Sequence, residues 1–176
     1  VGAVAAFYPL AEVARRVGGN DVDVSDLTPA GAEPHDLELT PEQVDDLEGA
    51  DVVVVMGYDF QPALEAIAER RDGTTVFVLD ELRTEAEGRI VEGNVLDPHV
   101  WLDPRLMQQI VTAVEAGLAD ADPDNAETYA ANARDYRDRL GALDDEYAAG
   151  LGGCERDEIV TAHDAFGWLA ARYGLQ

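Results

Sequence analysis

The sequence predicts an α/β fold: a small parallel sheet flanked by helices, then a long linking helix and the start of a second α/β lobe. Three observations indicate this fold. Short apolar runs alternate with segments whose apolar residues recur at helical spacing. The unbroken valine run at 52–55 is typical of a parallel strand that is covered on both faces. After residue 123 the strand pattern stops and a long helical pattern replaces it.

The first lobe is predicted to contain four strands, each followed by a helix. The strands are expected at residues 1–6, 22–27, 51–56 and 74–79, and the helices at 9–17, 41–48, 61–70 and 104–119. Thr40 with Gln43 three residues later forms a capping-box pattern, and Asp103-Pro104 is typical of an N-cap and first helical residue. The charged, glycine-containing stretch 81–95 has no clear period, so we interpret it as a loop that leads to His99.

The long helix is predicted over residues 124–149. Its larger side chains fall on one side: Tyr129, Ala133, Tyr136, Leu140, Leu143 and Tyr147. At 1.5 Å per residue such a helix spans about 39 Å, more than a small domain needs, so we interpret it as a strut between two bodies.

After the glycine-rich segment 150–153, the pattern predicts one strand at 158–162 and one helix at 165–173. A lone strand leaves its backbone groups unpaired, so we expect the chain to be part of a larger two-lobed protein. The expected division is an N-terminal lobe at 1–123, a linking helix at 124–150 and the start of a C-terminal lobe at 151–176.

The balance of charge restricts the possible partners. The chain has 37 acidic residues and 12 basic ones, all arginine, for a net charge of −25. Nucleic acids and anionic membranes would be repelled by such a surface, so neither is expected as a partner. We interpret the acidity as adaptation to high salt, where a Debye length of roughly 3 Å at 1 M makes dense like charge tolerable.

The number of cysteines and the length of the apolar runs bear on whether the chain can form a disulfide or span a membrane. Cys154 is the only cysteine, so an internal disulfide is impossible, and we expect a small buried apolar side chain. No apolar run in the sequence approaches the roughly 20 residues of a membrane span.

The three histidines share a local setting, because each precedes a predicted helix. His35 follows Pro34, His99 lies between Pro98 and the Asp103 cap, and His163 separates a predicted strand from a helix. In a parallel α/β sheet such junctions gather at the carboxyl edge, where ligands bind. Three imidazoles suit zinc and leave one tetrahedral position free. Spacing alone is weak support, because no His-Glu-x-x-His helix or cysteine pair is present, and ordinary loop or core roles stay open.

Several longer motifs resemble one known family, the metal-binding solute-binding proteins of zinc and manganese ABC importers. The segments that carry the resemblance are 7–11, 31–36, 97–104, and 163–169 with 172–175, in the same order along essentially the whole chain. The Asp-Pro-His-x-Trp-Leu-Asp-Pro block at 97–104 is the most specific of them. The resemblance implies two α/β lobes joined by one long helix, with the metal in the cleft between them.

The resemblance also implies a ligand set. His35 and His99 would come from the first lobe and His163 from the second, with a fourth ligand, an aspartate or glutamate, from beyond this sequence. A histidine rather than a glutamate at position 163 resembles the zinc-type pattern, since manganese favours carboxylate oxygens. Unlike many zinc importers of the family, this sequence has no histidine-rich run between residues 81 and 97.

The function implied is that of a non-enzymatic, extracytoplasmic receptor. It would capture Zn²⁺, with Mn²⁺ as the alternative ion, and deliver it to an ABC permease. A monomer is expected, anchored to the membrane through a segment not in this chain. Two other classes stay open: a zinc hydrolase, because three histidines and a water also form a catalytic site, and a surface adhesin that a metal stabilises.

Residues beside the histidines have expected supporting roles. Aromatic side chains are expected to pack beneath the site: Trp101, Phe166 and Trp168. Carboxylates that lie next to histidines in the sequence are candidates to orient an imidazole: Asp36, Asp97, Asp103 and Asp164. For Asp103 the helix cap is the favoured role.

Overall fold

The computed structural model of the chain describes residues 1–82, 90–91 and 95–176, and its centre is a parallel sheet. The four strands are Gly2–Ala5 (β1), Asp23–Asp26 (β2), Val52–Val55 (β3) and Thr74–Phe77 (β4). They lie in the order β2-β1-β3-β4, all parallel. The four valines of β3 are fully buried, as expected for a central strand. The predicted α/β class is therefore confirmed.

Helices follow each strand and cover the sheet. They are Tyr8–Gly18 (α1), Pro41–Gly49 (α2), Pro62–Ala68 (α3), Val78–Glu81 (α4), Pro104–Ala121 (α5), Ala126–Leu151 (α6) and Gly167–Tyr173 (α7). Short 3-10 turns occupy Pro34–Asp36, Val100–Leu102 and Pro123–Asn125. Proline lies in the first turn of α1, α2, α3 and α5, where its missing N–H costs nothing and its φ is already helical.

The predicted caps of α2 and α5 are both present. The Thr40 hydroxyl accepts from the Gln43 N–H at 3.3 Å, and the Gln43 side chain accepts from the Thr40 N–H at 2.9 Å. Asp103 accepts from the backbone N–H groups of Arg105 and Leu106 with its Oδ1. These are local arrangements, which is why the sequence alone indicates them.

Replacing Thr40 with alanine is expected to lower the free energy of unfolding by about 1 kcal/mol, because the N-cap bond to the first turn of α2 is lost. Thr40→Ser keeps the hydroxyl and is expected to retain most of the stability. Urea unfolding followed by circular dichroism measures both. Equal losses in the two variants would show that the hydroxyl is not what stabilises this helix.

Two stretches between β4 and α5 differ from the sequence prediction. Strand β4 ends at Phe77 rather than Leu79, because its neighbour β3 ends at Val55, the register partner of Phe77, and the chain continues as α4. Within the predicted loop 81–95, Ile90–Val91 (β5) and Val95–Leu96 (β6) pair as antiparallel strands. Residues 83–89 and 92–94 of that loop lie outside the described residues.

The predicted strand at 158–162 is not a strand in the structure. These residues are exposed, Val160 fully so. The backbone nearby pairs instead with the last residue: the Ile159 N–H donates to Gln176 O at 2.8 Å, and the Gln176 N–H donates to Asp157 O at 2.7 Å. A strand needs a neighbouring strand, and within the described ranges none lies beside this segment.

Cys154 is exposed, so the prediction of a buried apolar cysteine is wrong. It follows the end of α6 in a glycine-rich turn, where its N–H donates to Leu151 O at 3.2 Å. Its neighbours at 152–160 are exposed as well, so no core surrounds the thiol.

The long helix α6 packs along α1 and α5. Tyr129, Ala133 and Leu140 are buried there, while Leu143 and Tyr147 farther along are 40% and 36% exposed. The division into lobes at residues 123 and 150 stays a prediction.

Across the described ranges, no helix combines the length and apolar character needed to cross a membrane.

Candidate metal centre

The fold brings the three histidines together from distant parts of the sequence. His35 lies in the turn after β2, His99 immediately before the turn that leads to α5, and His163 in the loop before α7. One ring nitrogen from each of the three lies within 4.8 Å of the other two. His99 is buried at 7% exposure, whereas His35 and His163 are open to solvent.

The spacing of the ring nitrogens suits a shared cation. The Nε2 atoms of His99 and His163 are 3.1 Å apart. Two nitrogens that bind one tetrahedral zinc at 2.0–2.1 Å are about 3.3 Å apart, so this pair already has nearly the required separation. The His35 ring centroid lies 5.7 Å from that of His99 and 6.2 Å from that of His163.

Asp97 orients the His99 ring. Its Oδ1 lies 2.8 Å from Nδ1 of His99 and also accepts from the His99 N–H at 3.0 Å. An Nδ1–H that donates to a carboxylate leaves the Nε2 lone pair free and directed at the other histidines, the arrangement typical of metal-binding imidazoles. The expected orienting role of Asp97 thus has direct geometric support.

The surroundings of His35 differ from those of His99. Partial burial lowers the pKa of His35, the charges of His99 and His163 lower it further, and Glu33 opposes them. The lowered pKa favours the neutral imidazole that a metal requires. The ring lies 4.4 Å from the ring of Phe60, centroid to centroid, at an angle of 59°.

Aromatic rings pack beside the candidate site. The Phe7 ring lies 4.9 Å from Trp101, and Trp101 lies 5.2 Å from His99, measured between centroids. Trp101 therefore contacts a candidate ligand directly. Phe60 was missed by the sequence analysis, although its position after β3, at the carboxyl edge of the sheet, was an available signal.

The segment that carries His163 is held against the rest of the molecule by polar contacts. Arg172 donates from Nε to Oδ2 of Asp103 at 2.8 Å, and its second nitrogen lies 2.7 Å from the same oxygen. The indole Nε1 of Trp168, a buried residue, donates to Asp97 O at 3.0 Å. Phe166 is instead 39% exposed, so its expected packing beneath the site does not hold.

Asp144, on α6, is a second residue that holds α7 against the rest of the molecule. Its Oδ1 accepts from the Tyr173 hydroxyl at 3.0 Å and its Oδ2 from Arg105 Nε at 2.8 Å. Burial by itself would raise the pKa of Asp144, but the hydrogen bonds from Arg105 and Tyr173 outweigh it and lower the pKa overall. The carboxylate therefore stays charged and available to α7.

Comparisons with known proteins agree with this geometry. Residues 3–176 match the family model ZnuA, described as the zinc-uptake complex component A, periplasmic. The high-affinity zinc uptake system protein ZnuA of Bacillus subtilis is 34% identical over 98% of the chain. The structure of the metal-dependent lipoprotein YcdH from Bacillus subtilis is 32% identical and covers 100% of the chain, with a TM-score of 0.89. The Zn(II)-bound ZnuA-like domain of Streptococcus pneumoniae AdcA, also covering 100% of the chain, has a TM-score of 0.88 at 31% identity.

These relatives are longer than the present chain. The chain spans 58% of the Bacillus subtilis zinc uptake protein and 65% of each of the two solved structures.

Proposed function

The chain belongs to the ZnuA family of zinc-uptake components, and from this premise we propose that it is a receptor that captures Zn²⁺ and delivers it to an ABC permease. The observation that carries the proposal is the convergence of His35, His99 and His163, whose ring nitrogens lie within 4.8 Å of one another. These three side chains are the proposed ligands. A carboxylate from outside this chain is the proposed fourth, completing a site between two lobes that α6 links.

Zinc is the proposed ion rather than manganese. All three candidate ligands are imidazole nitrogens, which suit zinc, whereas manganese favours carboxylates and water. The similar ZnuA-like domain of AdcA is described as Zn(II)-bound, which supports the same choice.

The proposed setting is outside the cytoplasm, with a membrane anchor. The description of YcdH as a lipoprotein supports this, and so does the description of the matching family as periplasmic. The net charge of −25 would repel anionic lipid headgroups, so anchoring would fall to a separate segment. We further propose a monomer whose partners are the ion and the permease.

Capture rather than hydrolysis is the proposed use of the metal. A catalytic zinc site keeps one position open for water, whereas the proposed receptor fills it with a carboxylate. The zinc-loaded protein is expected to show no turnover of an activated ester. Sustained turnover that a chelator abolishes would favour the hydrolase instead.

Calorimetric titration of the full-length chain with Zn²⁺ at several pH values tests the proposed function. Zinc requires neutral imidazoles, so binding is fully present above the histidine pKa, ordinarily about 6.5, and is lost as pH falls through it. We expect one ion per chain and a dissociation constant at least about 10-fold higher at pH 5.5 than at pH 7.5. The lowered pKa of His35 keeps that ligand available farther into acid than an ordinary histidine. Affinity that is independent of pH, or absent, would contradict histidine-mediated capture.

A further inference from the structure

The turn after β3 has an unusual backbone. Gly57, Tyr58 and Asp59 follow one another with φ of +85°, +59° and +60°. Residues other than glycine seldom adopt such values, because the Cβ crowds the backbone, and strained positions persist only where surrounding contacts hold them. A side chain that holds this turn in place therefore also affects the residues that the turn contacts.

Glu65 is that side chain. It lies on α3 and is 6% exposed. Its Oε2 accepts from the Asp59 N–H at 2.9 Å, and its Oε1 accepts from the Gln61 N–H at 3.0 Å. One buried carboxylate thus binds two backbone amides, on either side of Phe60. Hydrogen bonds to an ionised acceptor are about twice as strong as neutral ones, which suits a group that must stabilise a strained turn.

The turn in its place contacts the His35 segment twice. The Phe60 ring packs against the imidazole at 4.4 Å between centroids. Gln61 donates from Nε2 to Pro34 O, directly before His35, at 2.9 Å. The side-chain oxygen of Gln61, Oε1, is buried and has no hydrogen-bond partner in the part of the chain that the structure describes. The bond from Nε2 to Pro34 is therefore the contact that holds the Gln61 side chain in this position.

His35 depends on these contacts more than His99 does. The His99 ring has a carboxylate partner at 2.8 Å. For His35, the carboxylate of Glu33 lies 3.9 Å from Nε2, too far for a hydrogen bond. Phe60 gives the closest ring contact of His35 in the described residues, at 4.4 Å between centroids, compared with 5.7 Å for His99 and 6.2 Å for His163.

We propose that Glu65 is a positioning residue for the metal site: it holds the left-handed turn 57–59 so that Phe60 and Gln61 fix His35 in place. The inference rests on the proposed zinc function for its consequence, but its geometric part concerns the metal-free protein. Glu65 itself does not touch the ion.

The test is Glu65→Gln in the full-length chain, with Glu69→Gln as the matched control on an exposed position next to α3. Glutamine offers one acceptor and directs its NH₂ at the other backbone N–H, so one of the two bonds is replaced by a repulsive contact. In the metal-free protein we expect the NMR signal of the His35 ring Hε1 to move, because the Phe60 ring shifts relative to it. The His99 signal and both signals in the control are expected to stay.

Zinc affinity is the second readout. Glu65→Gln is expected to weaken binding by about 10-fold, the lower end of the effect of removing an outer partner of a ligand. In a His35→Ala background the same change should have no further effect, because Glu65 acts through His35. An equal loss in both backgrounds, or an unmoved His35 signal, would overturn the proposal. Failure of the wild-type chain to bind zinc would instead contradict the proposed function, while the metal-free signal would still decide this inference.

Gln61→Met keeps the test decisive if Glu65→Gln does not fold. Methionine has a similar volume and removes both the bond to Pro34 and the unpartnered buried Oε1. Folding should therefore survive, while the His35 signal moves and zinc binding weakens. A Gln61→Met protein whose His35 signal and zinc affinity match the wild type would overturn the proposal.

Discussion

Replacing His99 with alanine is expected to weaken Zn²⁺ binding by more than 100-fold. His99 is the buried member of the three, and its ring is already oriented by Asp97 with Nε2 3.1 Å from Nε2 of His163. Removing an outer partner of a metal ligand typically costs about 10- to 100-fold in affinity, and removing the ligand itself should exceed that. Titration in competition with a chelating dye measures the change.

Two controls separate lost coordination from lost structure. Asp45→Asn changes an exposed carboxylate on α2 and is expected to bind zinc as the wild type does. The thermal midpoint of metal-free His99→Ala shows whether the fold survives the small cavity. If a folded His99→Ala protein binds zinc as tightly as the wild type, His99 is not a ligand and the proposed site is wrong.

Replacing Arg172 with methionine is expected to lower the free energy of unfolding by about 2–3 kcal/mol. Its partner Asp103 is 2% exposed and would lose the ion pair with Arg172, while keeping its cap bonds to α5. Removing one member of a fully buried ion pair costs about 3–5 kcal/mol, and we discount that because the Arg172 side chain is 27% exposed to solvent. Chemical unfolding measured by tryptophan fluorescence follows the change, since Trp168 is on the same helix.

Zinc affinity is expected to fall in the same variant. α7 follows the loop that carries His163, so loosening the helix makes the third imidazole less well placed. Arg156→Met, at an exposed arginine in the segment before His163, is the matched control and should change neither quantity. Indistinguishable behaviour of the Arg172 and Arg156 variants would show that the ion pair does not hold this segment.

Sequence reasoning succeeded where the determining contacts are local or periodic. The buried valines of β3, the Thr40 capping box and the Asp103 cap each depend on residues a few positions apart. It failed at 158–162, because β-branched residues favour a strand only where another strand accepts their hydrogen bonds. It also failed at Cys154, since burial of a small apolar side chain depends on what lies next to it.

In the candidate site too, the sequence indicated local features better than contacts between distant residues. The histidines were found from their junction positions and from the family resemblance. Their supports were found only in part: Asp97 is two residues from His99, whereas Gln61 is 27 residues from the Pro34 carbonyl it binds, and Arg172 is 69 residues from Asp103. Aspartate adopts left-handed backbone more readily than most residues, but nothing in the sequence indicates it for Tyr58, and the role of Glu65 emerges only from the fold.

The most direct test of zinc coordination by the three histidines is anomalous scattering from a crystal of the protein grown with Zn²⁺, measured above and below the zinc absorption edge. We expect one strong difference peak at about 2.0–2.1 Å from a ring nitrogen of each of His35, His99 and His163. A zinc peak elsewhere, or one that contacts at most one of these rings, would contradict the account.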